Sequence, residues 1–225
     1  MGGHHNPLGN DFAWRTITQP VSGETPTDPP GIRFPGRALD QQMGDQLYYQ
    51  ENFPAACAAF EANPRNTVKA LFRKGDPGAR GKPPRTALIR KQGGWFGGAG
   101  RAPDVPMDPD VLTEADLAAY AAALERNGFF GPDSWYMNHD RNVAFSAKAI
   151  NGGRLNMPVL FLHGANDLVC DTTGSRLAEP MREYCADLAE VVIQSGHWMA
   201  QECPVAVNAA LAKWLAIKLA NVWTL

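Results

Sequence analysis

Two short polar loops in the last third of the chain carry residue types that can do acid-base chemistry. Asp167 lies in the stretch HGANDLVCD, and His197 lies further along in the stretch SGHW. An aspartate that accepts a hydrogen bond from an imidazole N–H holds the ring in one tautomer, and the other ring nitrogen can then take a proton from water. The two residues are therefore candidates for a general-base pair. Spacing alone also fits a turn residue at Asp167 and a helix-start residue at His197.

The elements around these loops are expected to bring them together. Apolar runs with strand character alternate with helical periodicity, and Thr172 or Thr173 would cap the first of the helices. This alternation predicts a parallel βαβα unit, in which loops at the carboxyl ends of adjacent strands lie side by side. The predicted elements are a strand at 158–163, a helix at 173–185, a strand at 188–194 and a helix at 204–220.

The chain ahead of this unit divides into two further parts. Residues 1–37 are rich in glycine, proline and threonine and predict a loop-rich lead-in, whereas 38–150 predict a helical region, and 151–225 hold the strands. Helices are expected at 38–62, broken by Pro54, and at 65–74, 113–127 and 134–150. Thr113 and Asp116 form a capping-box pattern, and Gly128 should end that helix.

A glycine-, proline- and arginine-rich stretch separates the second and third of these helices. At about thirty-five residues it is far longer than ordinary connections. It therefore predicts a lid or a binding loop.

Composition excludes several classes of function. The 225 residues are 44% hydrophobic, and the formal net charge is −2, so a globular domain is expected and nucleic acid is not a predicted partner.

The four cysteines show no metal-ligand spacing and are interpreted as reduced core thiols, so no metal and no cofactor are expected. They are Cys57, Cys170, Cys185 and Cys203. The N-terminus lacks a signal-peptide pattern, and lysines interrupt the C-terminal apolar helix, which predicts a cytoplasmic protein without a membrane partner.

Three segments, in order along the chain, resemble the soluble epoxide hydrolases. They are GDQLYYQENFPAACAAFEANPRNTVKALFR, GFFGPDSWYMNHDRN and the last third, which begins MPVLFLHGANDLVCD. The resemblance runs from about Gly44 to the C-terminus and more weakly back to about Pro29. It implies an α/β fold, an incomplete α/β-hydrolase in which a helical cap is followed by the C-terminal βαβα unit of a parallel sheet.

The resemblance also implies a mechanism and roles for particular residues. In this family an aspartate attacks a small apolar epoxide to form an ester, two cap tyrosines donate hydrogen bonds to the leaving oxygen, and an Asp–His pair activates water. His197 matches the base, Asp167 its orienting carboxylate and Tyr136 one tyrosine. Asp45 stands where the other tyrosine is expected, and Tyr49, one helical turn on, is the candidate replacement. Trp135 and Trp198, beside the site residues, are interpreted as pocket wall or core.

The nucleophile departs from the family pattern. The family's Gly-x-Asp-x-Gly elbow and His-Gly-x-Pro loop precede the cap, and here only LGNDFAW faintly resembles the elbow, with Asp11 in the aspartate position. We expect the nucleophile to be missing and the isolated chain to be inactive, with the family's activity supplied by a longer protein or a complementing N-terminal half.

Two alternatives remain. The chain could be a non-catalytic remnant that binds an apolar ligand or pairs as a homo-oligomer, or a dehalogenase-like hydrolase of the same fold. Tyr136 favours epoxides over halides, because a leaving halide needs no proton. Coding sequence in frame ahead of Met1, carrying the missing motifs, would favour the longer enzyme over the remnant.

Overall fold

The structure is a computed structural model that describes residues 44–219. The predicted lead-in at 1–37, the candidate nucleophile Asp11 and the first residues of the predicted helix 38–62 lie outside this range. The first part of the described chain is helical. Its helices are α1 (Gly44–Glu61), α2 (Pro64–Leu71), α3 (Glu114–Asn127), α4 (Phe130–Ser134) and α5 (His139–Ser146).

Local sequence signals explain where these helices bend and end. The backbone of α1 leaves helical geometry at Asn52 (φ −140°, ψ 37°), just ahead of Pro54, which lacks an N–H and clashes with the preceding turn. In α3, Thr113 Oγ1 accepts a hydrogen bond from the Asp116 N–H (3.1 Å), while the Asp116 carboxylate accepts from the Thr113 N–H (2.9 Å). Gly128 ends α3 with φ 68°. The predicted break and the predicted capping box are confirmed.

The predicted helix at 134–150 is divided in the structure. A 3₁₀ turn, Trp135–Met137, follows α4 directly, and α5 begins only at His139 and ends at Ser146. A second 3₁₀ turn, Ile150–Gly153, leads into the first strand. In that turn Asn151 and Gly152 have positive φ, a conformation that no α-helix can include.

Two apolar clusters hold the helical region together. The long stretch between α2 and α3 contributes to both of them, with Ile89 in the first and Val111 and Leu112 in the second. This stretch contains the 3₁₀ turns Pro77–Ala79, Arg85–Leu88 and Trp95–Gly98. A segment predicted as a lid or binding loop therefore also supplies core residues.

The second part of the described chain is the predicted βαβα unit. Strand β1 (Leu155–Gly164) pairs in parallel with β2 (Cys185–Ile193), so that Leu160 lies opposite Ala189. Between them lies α6 (Glu179–Tyr184), and after β2 come α7 (Met199–Glu202) and α8 (Pro204–Lys218). Within residues 44–219 the sheet consists of these two strands. None of the helices in this range combines the length and the apolar character of a membrane-spanning segment.

The predicted helix at 173–185 is wrong in extent, and its predicted caps are wrong. The helix begins only at Glu179, after Ala178. Asp171 Oδ1 instead accepts hydrogen bonds from the Gly174 N–H (2.7 Å) and the Thr173 hydroxyl (3.2 Å), and such side-chain bonds compete with helix formation. The Thr172 hydroxyl lies 2.9 Å from His163 Nδ1, on the strand.

The prediction that all four cysteines are core thiols needs correction. Cys57 is buried, Cys185 and Cys203 are partly exposed, and Cys170 is exposed. Cys170 lies in the turn after β1, ahead of α6. All four thiols are free.

Candidate active site

The imidazole of His197 and the carboxylate of Asp167 meet at the carboxyl ends of the two strands. His197 Nδ1 lies 3.0 Å from Asp167 Oδ2. The loops that carry them continue the sheet's hydrogen bonding, because the Ala165 N–H donates to the Ile193 carbonyl (2.8 Å) and the Asn166 N–H to the Ser195 carbonyl (2.9 Å). The predicted meeting of these two side chains is therefore present in the structure.

Asp167 is held in place by a tight turn. Its Oδ1 atom accepts hydrogen bonds from the N–H groups of Val169 and Cys170, each at 3.0 Å, which leaves Oδ2 for His197. Only 11% of the Asp167 side chain is exposed, against 41% for His197. The carboxylate is thus fixed, whereas part of the imidazole can reach solvent or a ligand.

The pairing shifts the pKa values of both groups. Burial opposes ionisation of Asp167, but the hydrogen bond and charge of His197 outweigh it, so the pKa of Asp167 is lowered. The hydrogen bond to Asp167 raises the pKa of His197, with burial opposing it. The pair therefore favours a charged carboxylate that stabilises the imidazolium, as an Asp–His base requires.

Glycines let three backbone segments approach each other beneath the pair. A Cβ added to Gly164 would lie 2.8 Å from the Gly196 carbonyl oxygen, and one added to Gly75 would lie 2.5 Å from Gly196 Cα. The carboxylate of Glu202 accepts hydrogen bonds from the N–H groups of Gly196 (2.8 Å) and Gly75 (3.2 Å). The His197 loop is thereby tied to the chain that follows α2, a link that sequence analysis missed.

Trp198, the residue after His197, packs against the helical region. Its ring stacks on Phe72 with centroids 3.9 Å apart, and its indole N–H donates to the Leu71 carbonyl at 2.9 Å. Of the two predictions for Trp198, core packing is the one that these contacts favour.

Tyr136 lies in the 3₁₀ turn Trp135–Met137, beside Tyr49 of α1. The two rings are stacked, with centroids 4.9 Å apart and planes inclined by 1°. Partial burial raises the pKa of Tyr136, and negative charge at Asp45 and Cys170 raises it further, which keeps the phenol protonated. Trp135 is half exposed next to it.

The Tyr49 hydroxyl is engaged elsewhere. It donates to Asp133 Oδ1 at 3.2 Å, and Tyr49 itself is almost fully buried. A phenol has one proton to donate, so Tyr49 supports Tyr136 by stacking while its own donor is used. Nothing in sequence spacing indicated this pairing, because 84 residues separate Tyr49 from Asp133.

Asp45, which occupies the expected position of the second tyrosine, has a raised pKa and holds its proton at mildly acidic pH. Burial raises its pKa to about 6, against two backbone hydrogen bonds that lower it. At pH values below that, its carboxylic acid carries an O–H.

Cys170 is a further residue near the pair. Although the residue is exposed, desolvation of its thiol, together with the charges of Asp167 and Asp45, raises the pKa of Cys170 to about 12. Cys170 lies three residues after Asp167 in the sequence, which could have marked it as a residue near the site. The interpretation of all four cysteines as core thiols led away from that conclusion.

Comparison with known proteins confirms the resemblance to epoxide hydrolases. Bifunctional epoxide hydrolase 2 of Sus scrofa is 31% identical over 177 residues, which are 78% of this chain and 30% of that protein. Epoxide hydrolase A of Mycobacterium tuberculosis is 30% identical over 190 residues, which are 80% of this chain and 56% of that protein. The chain thus spans between 30% and 56% of the length of these relatives. No protein-family model matches the chain.

Solved structures agree with this relationship. Epoxide Hydrolase A from Mycobacterium thermoresistibile superposes with a TM-score of 0.57 at 32% identity, over 76% of this chain and 51% of that one. A Vigna radiata epoxide hydrolase mutant has a TM-score of 0.51 at 21% identity, over 83% of this chain and 60% of that one, and supports the fold alone. The chain is therefore a relative of the epoxide hydrolases and carries part of their α/β-hydrolase fold.

Proposed function

We propose that the chain carries the water-activating half of an epoxide hydrolase. In this proposal His197 takes a proton from water, Asp167 orients and stabilises the imidazole, and Tyr136 donates a hydrogen bond to the oxygen of a small apolar epoxide as its ring opens. The observation that carries the proposal is the 3.0 Å pairing of His197 Nδ1 with Asp167 Oδ2 at the carboxyl ends of adjacent parallel strands.

The state of Tyr136 supports its proposed part. An opening epoxide leaves an alkoxide, and a neutral O–H aimed at that oxygen stabilises it. The raised pKa of Tyr136 keeps the phenol neutral at physiological pH, and the stacked Tyr49 ring holds its plane. Trp135, half exposed beside it, is proposed as part of the substrate-binding wall.

We further propose that the isolated chain does not turn over an epoxide. The family's route begins with attack by a carboxylate, and Asp167 is the only carboxylate in residues 44–219 that hydrogen-bonds His197. Asp167 cannot serve as the nucleophile while it orients the base. In this proposal the nucleophile is supplied from outside the described residues.

The assay is diol formation from styrene oxide, with titration of the epoxide followed by NMR. We expect background turnover, unchanged in His197→Gln, together with saturable shifts at residues 135–137 that Tyr136→Phe weakens. Tyr120→Phe, on the face of α3, is the matched control and should leave binding intact. Turnover that His197→Gln abolishes would overturn the inactivity and direct attention to Asp11→Asn. Absence of binding would overturn the epoxide assignment.

The apolar surface of the sheet region favours a second element of the proposal, pairing with a complementing segment or a second copy. None of the residues of α8 is buried, with Val205 81% and Ile217 64% exposed, and most of β1 is only partly covered. Parallel sheets are normally covered on both faces. We expect concentration-dependent association in light scattering. A monomer at all concentrations, with one cooperative melting transition, would contradict the pairing.

A further inference from the structure

Three ligand-bearing side chains converge at the end of the sheet. Asp167, Cys170 and His197 each offer one potential metal-ligand atom, and these atoms all lie within 4.8 Å of one another. The first two come from the turn after β1 and the third from the loop after β2. A thiol, an imidazole and a carboxylate together are the ligand types that zinc prefers.

We propose that Asp167, Cys170 and His197 form a binding site for a divalent transition-metal cation, best suited to Zn²⁺. A tetrahedral zinc ion with Zn–N and Zn–O bonds of about 2.0 Å places these two ligand atoms roughly 3.3 Å apart. The 3.0 Å separation of His197 Nδ1 and Asp167 Oδ2 is close to that spacing. With a Zn–S bond of about 2.3 Å, the Cys170 Sγ atom would lie roughly 3.5 Å from the other two ligand atoms. The three atoms now lie within 4.8 Å of one another, so the Cys170 turn would have to move inward to close around an ion.

The surroundings favour a cation. The Asp167 carboxylate brings negative charge to the cluster, and its Oδ2 atom lies beside a ring nitrogen of His197. A Zn²⁺ ion bound there would deprotonate a coordinating thiol, which adds a second negative charge among the ligands. The exposed part of the His197 ring leaves room for water as a fourth ligand.

The turn geometry prepares the carboxylate for this role. The N–H groups of Val169 and Cys170 hold Oδ1, so Oδ2 alone is left for the ion. Fixing a ligand by hydrogen bonds to its other oxygen is the usual way in which outer groups support a metal site.

Metal binding and the base role exclude each other. The ion would take the place of the proton shared between His197 Nδ1 and Asp167 Oδ2, and the imidazole would then no longer be paired with its carboxylate. The cation is thus expected to act as an inhibitor of any base chemistry at this site. The site itself requires no epoxide hydrolysis and can be tested without turnover.

The test is a Co²⁺ titration of the purified full chain under a non-thiol reductant, followed by competition with Zn²⁺. We expect a saturable sulfur-to-cobalt charge-transfer band at one equivalent, which Zn²⁺ removes. In Cys170→Ser the band should disappear, and the Zn²⁺ affinity measured by calorimetry should fall by about tenfold or more, as for loss of other groups that support a metal site. His197→Gln should lower the affinity similarly.

The matched control is Cys185→Ser, which removes a partly exposed thiol on β2 outside the cluster. It should leave both the band and the affinity unchanged. Cys170→Ser keeps the backbone N–H that binds Asp167, so circular dichroism and the melting temperature should match the parent chain. A band that persists in Cys170→Ser, or the lack of any saturable band in the parent chain, would overturn the proposal.

Discussion

The ring of Trp198 lies on the ring of Phe72, with centroids 3.9 Å apart and planes inclined by 11°. Phe72 directly follows α2, and Trp198 directly follows His197, so this stack joins the helical region to the loop that carries the candidate base. The Trp198 indole N–H also donates a hydrogen bond to the Leu71 carbonyl, which adds a second contact between the helical region and this loop. The position of His197 therefore depends on the packing of its neighbour as well as on Asp167.

We expect Trp198→Ala to destabilise the fold by about 2 to 4 kcal/mol, since truncation of a packed tryptophan leaves a cavity. The replacement Trp198→Phe keeps a stacking ring and loses only the N–H, so its cost should be nearer 1 kcal/mol. Urea denaturation measures both. If the two variants lose the same stability, the hydrogen bond rather than the stack is what joins the two regions.

The close contact between Gly75 and Gly196 gives a second prediction. A methyl group at Gly75 would lie 2.5 Å from Gly196 Cα and 2.6 Å from its nitrogen, both backbone atoms that cannot rotate away. Gly75→Ala should therefore cost about 1 to 3 kcal/mol or more, as overpacking does. Thermal denaturation measures the loss.

Gly131 supplies the matched control for this substitution. Its added Cβ would meet nothing within 4 Å, and it lies in the helix α4. Gly131→Ala should leave the stability unchanged or raise it by about 0.5 to 1 kcal/mol. Equal melting temperatures for Gly75→Ala and Gly131→Ala would show that the two loops do not approach as closely as described.

The meeting of Asp167 and His197 was predictable because it follows from topology. Parallel strands that are adjacent in the sheet bring their following loops to one edge, whatever their separation in sequence. The boundaries of helix α3 were predictable for a different reason, since Thr113, Asp116 and Gly128 act through backbone groups three or four residues away. Both signals are local or topological, and both are readable without side-chain packing.

What the sequence did not reveal depends on particular long-range contacts. The proton of Tyr49 is donated to Asp133, and Glu202 joins Gly75 to Gly196, through contacts that no periodicity encodes. The overlong helix prediction at 173–185 has a local cause, because the Asp171 carboxylate satisfies backbone groups that a helix would otherwise need. The spacing of apolar residues does not indicate where a side chain takes backbone hydrogen bonds from a helix.

The capping box of α3 gives a third prediction. Thr113 Oγ1 accepts the Asp116 N–H, so Thr113→Ala should lower the free energy of unfolding by about 1 kcal/mol, whereas Thr113→Ser keeps the hydroxyl and should lose little. Chemical denaturation of the two variants measures the difference. Equal losses would mean that the threonine methyl group, and not its oxygen, stabilises the start of the helix.

The last prediction concerns pH and the buried Asp133. Burial raises its pKa from 3.8 to about 6, with hydrogen bonds from neighbours only partly opposing this, and its Oδ2 atom has no hydrogen-bond partner. Because the folded chain then holds this proton more tightly than the unfolded chain, the contribution of Asp133 to stability is greatest below about pH 4. It is lost as the pH rises toward about 6 and stays constant above that. The rise in pKa corresponds to at most about 3 kcal/mol.

Asp133→Asn removes this titration and keeps an oxygen that can accept from the Tyr49 hydroxyl. Relative to the parent chain, we therefore expect the variant to gain about 1 to 3 kcal/mol between pH 4 and pH 7, measured by urea denaturation at a series of pH values. Glu125→Gln is the matched control, since Glu125 is exposed on α3 and the same change of a carboxylate to an amide there should leave the pH dependence unchanged. A stability difference between parent and Asp133→Asn that does not change with pH would show that Asp133 is ionised throughout. Tyr49 would then be bound to a charged carboxylate at every pH tested.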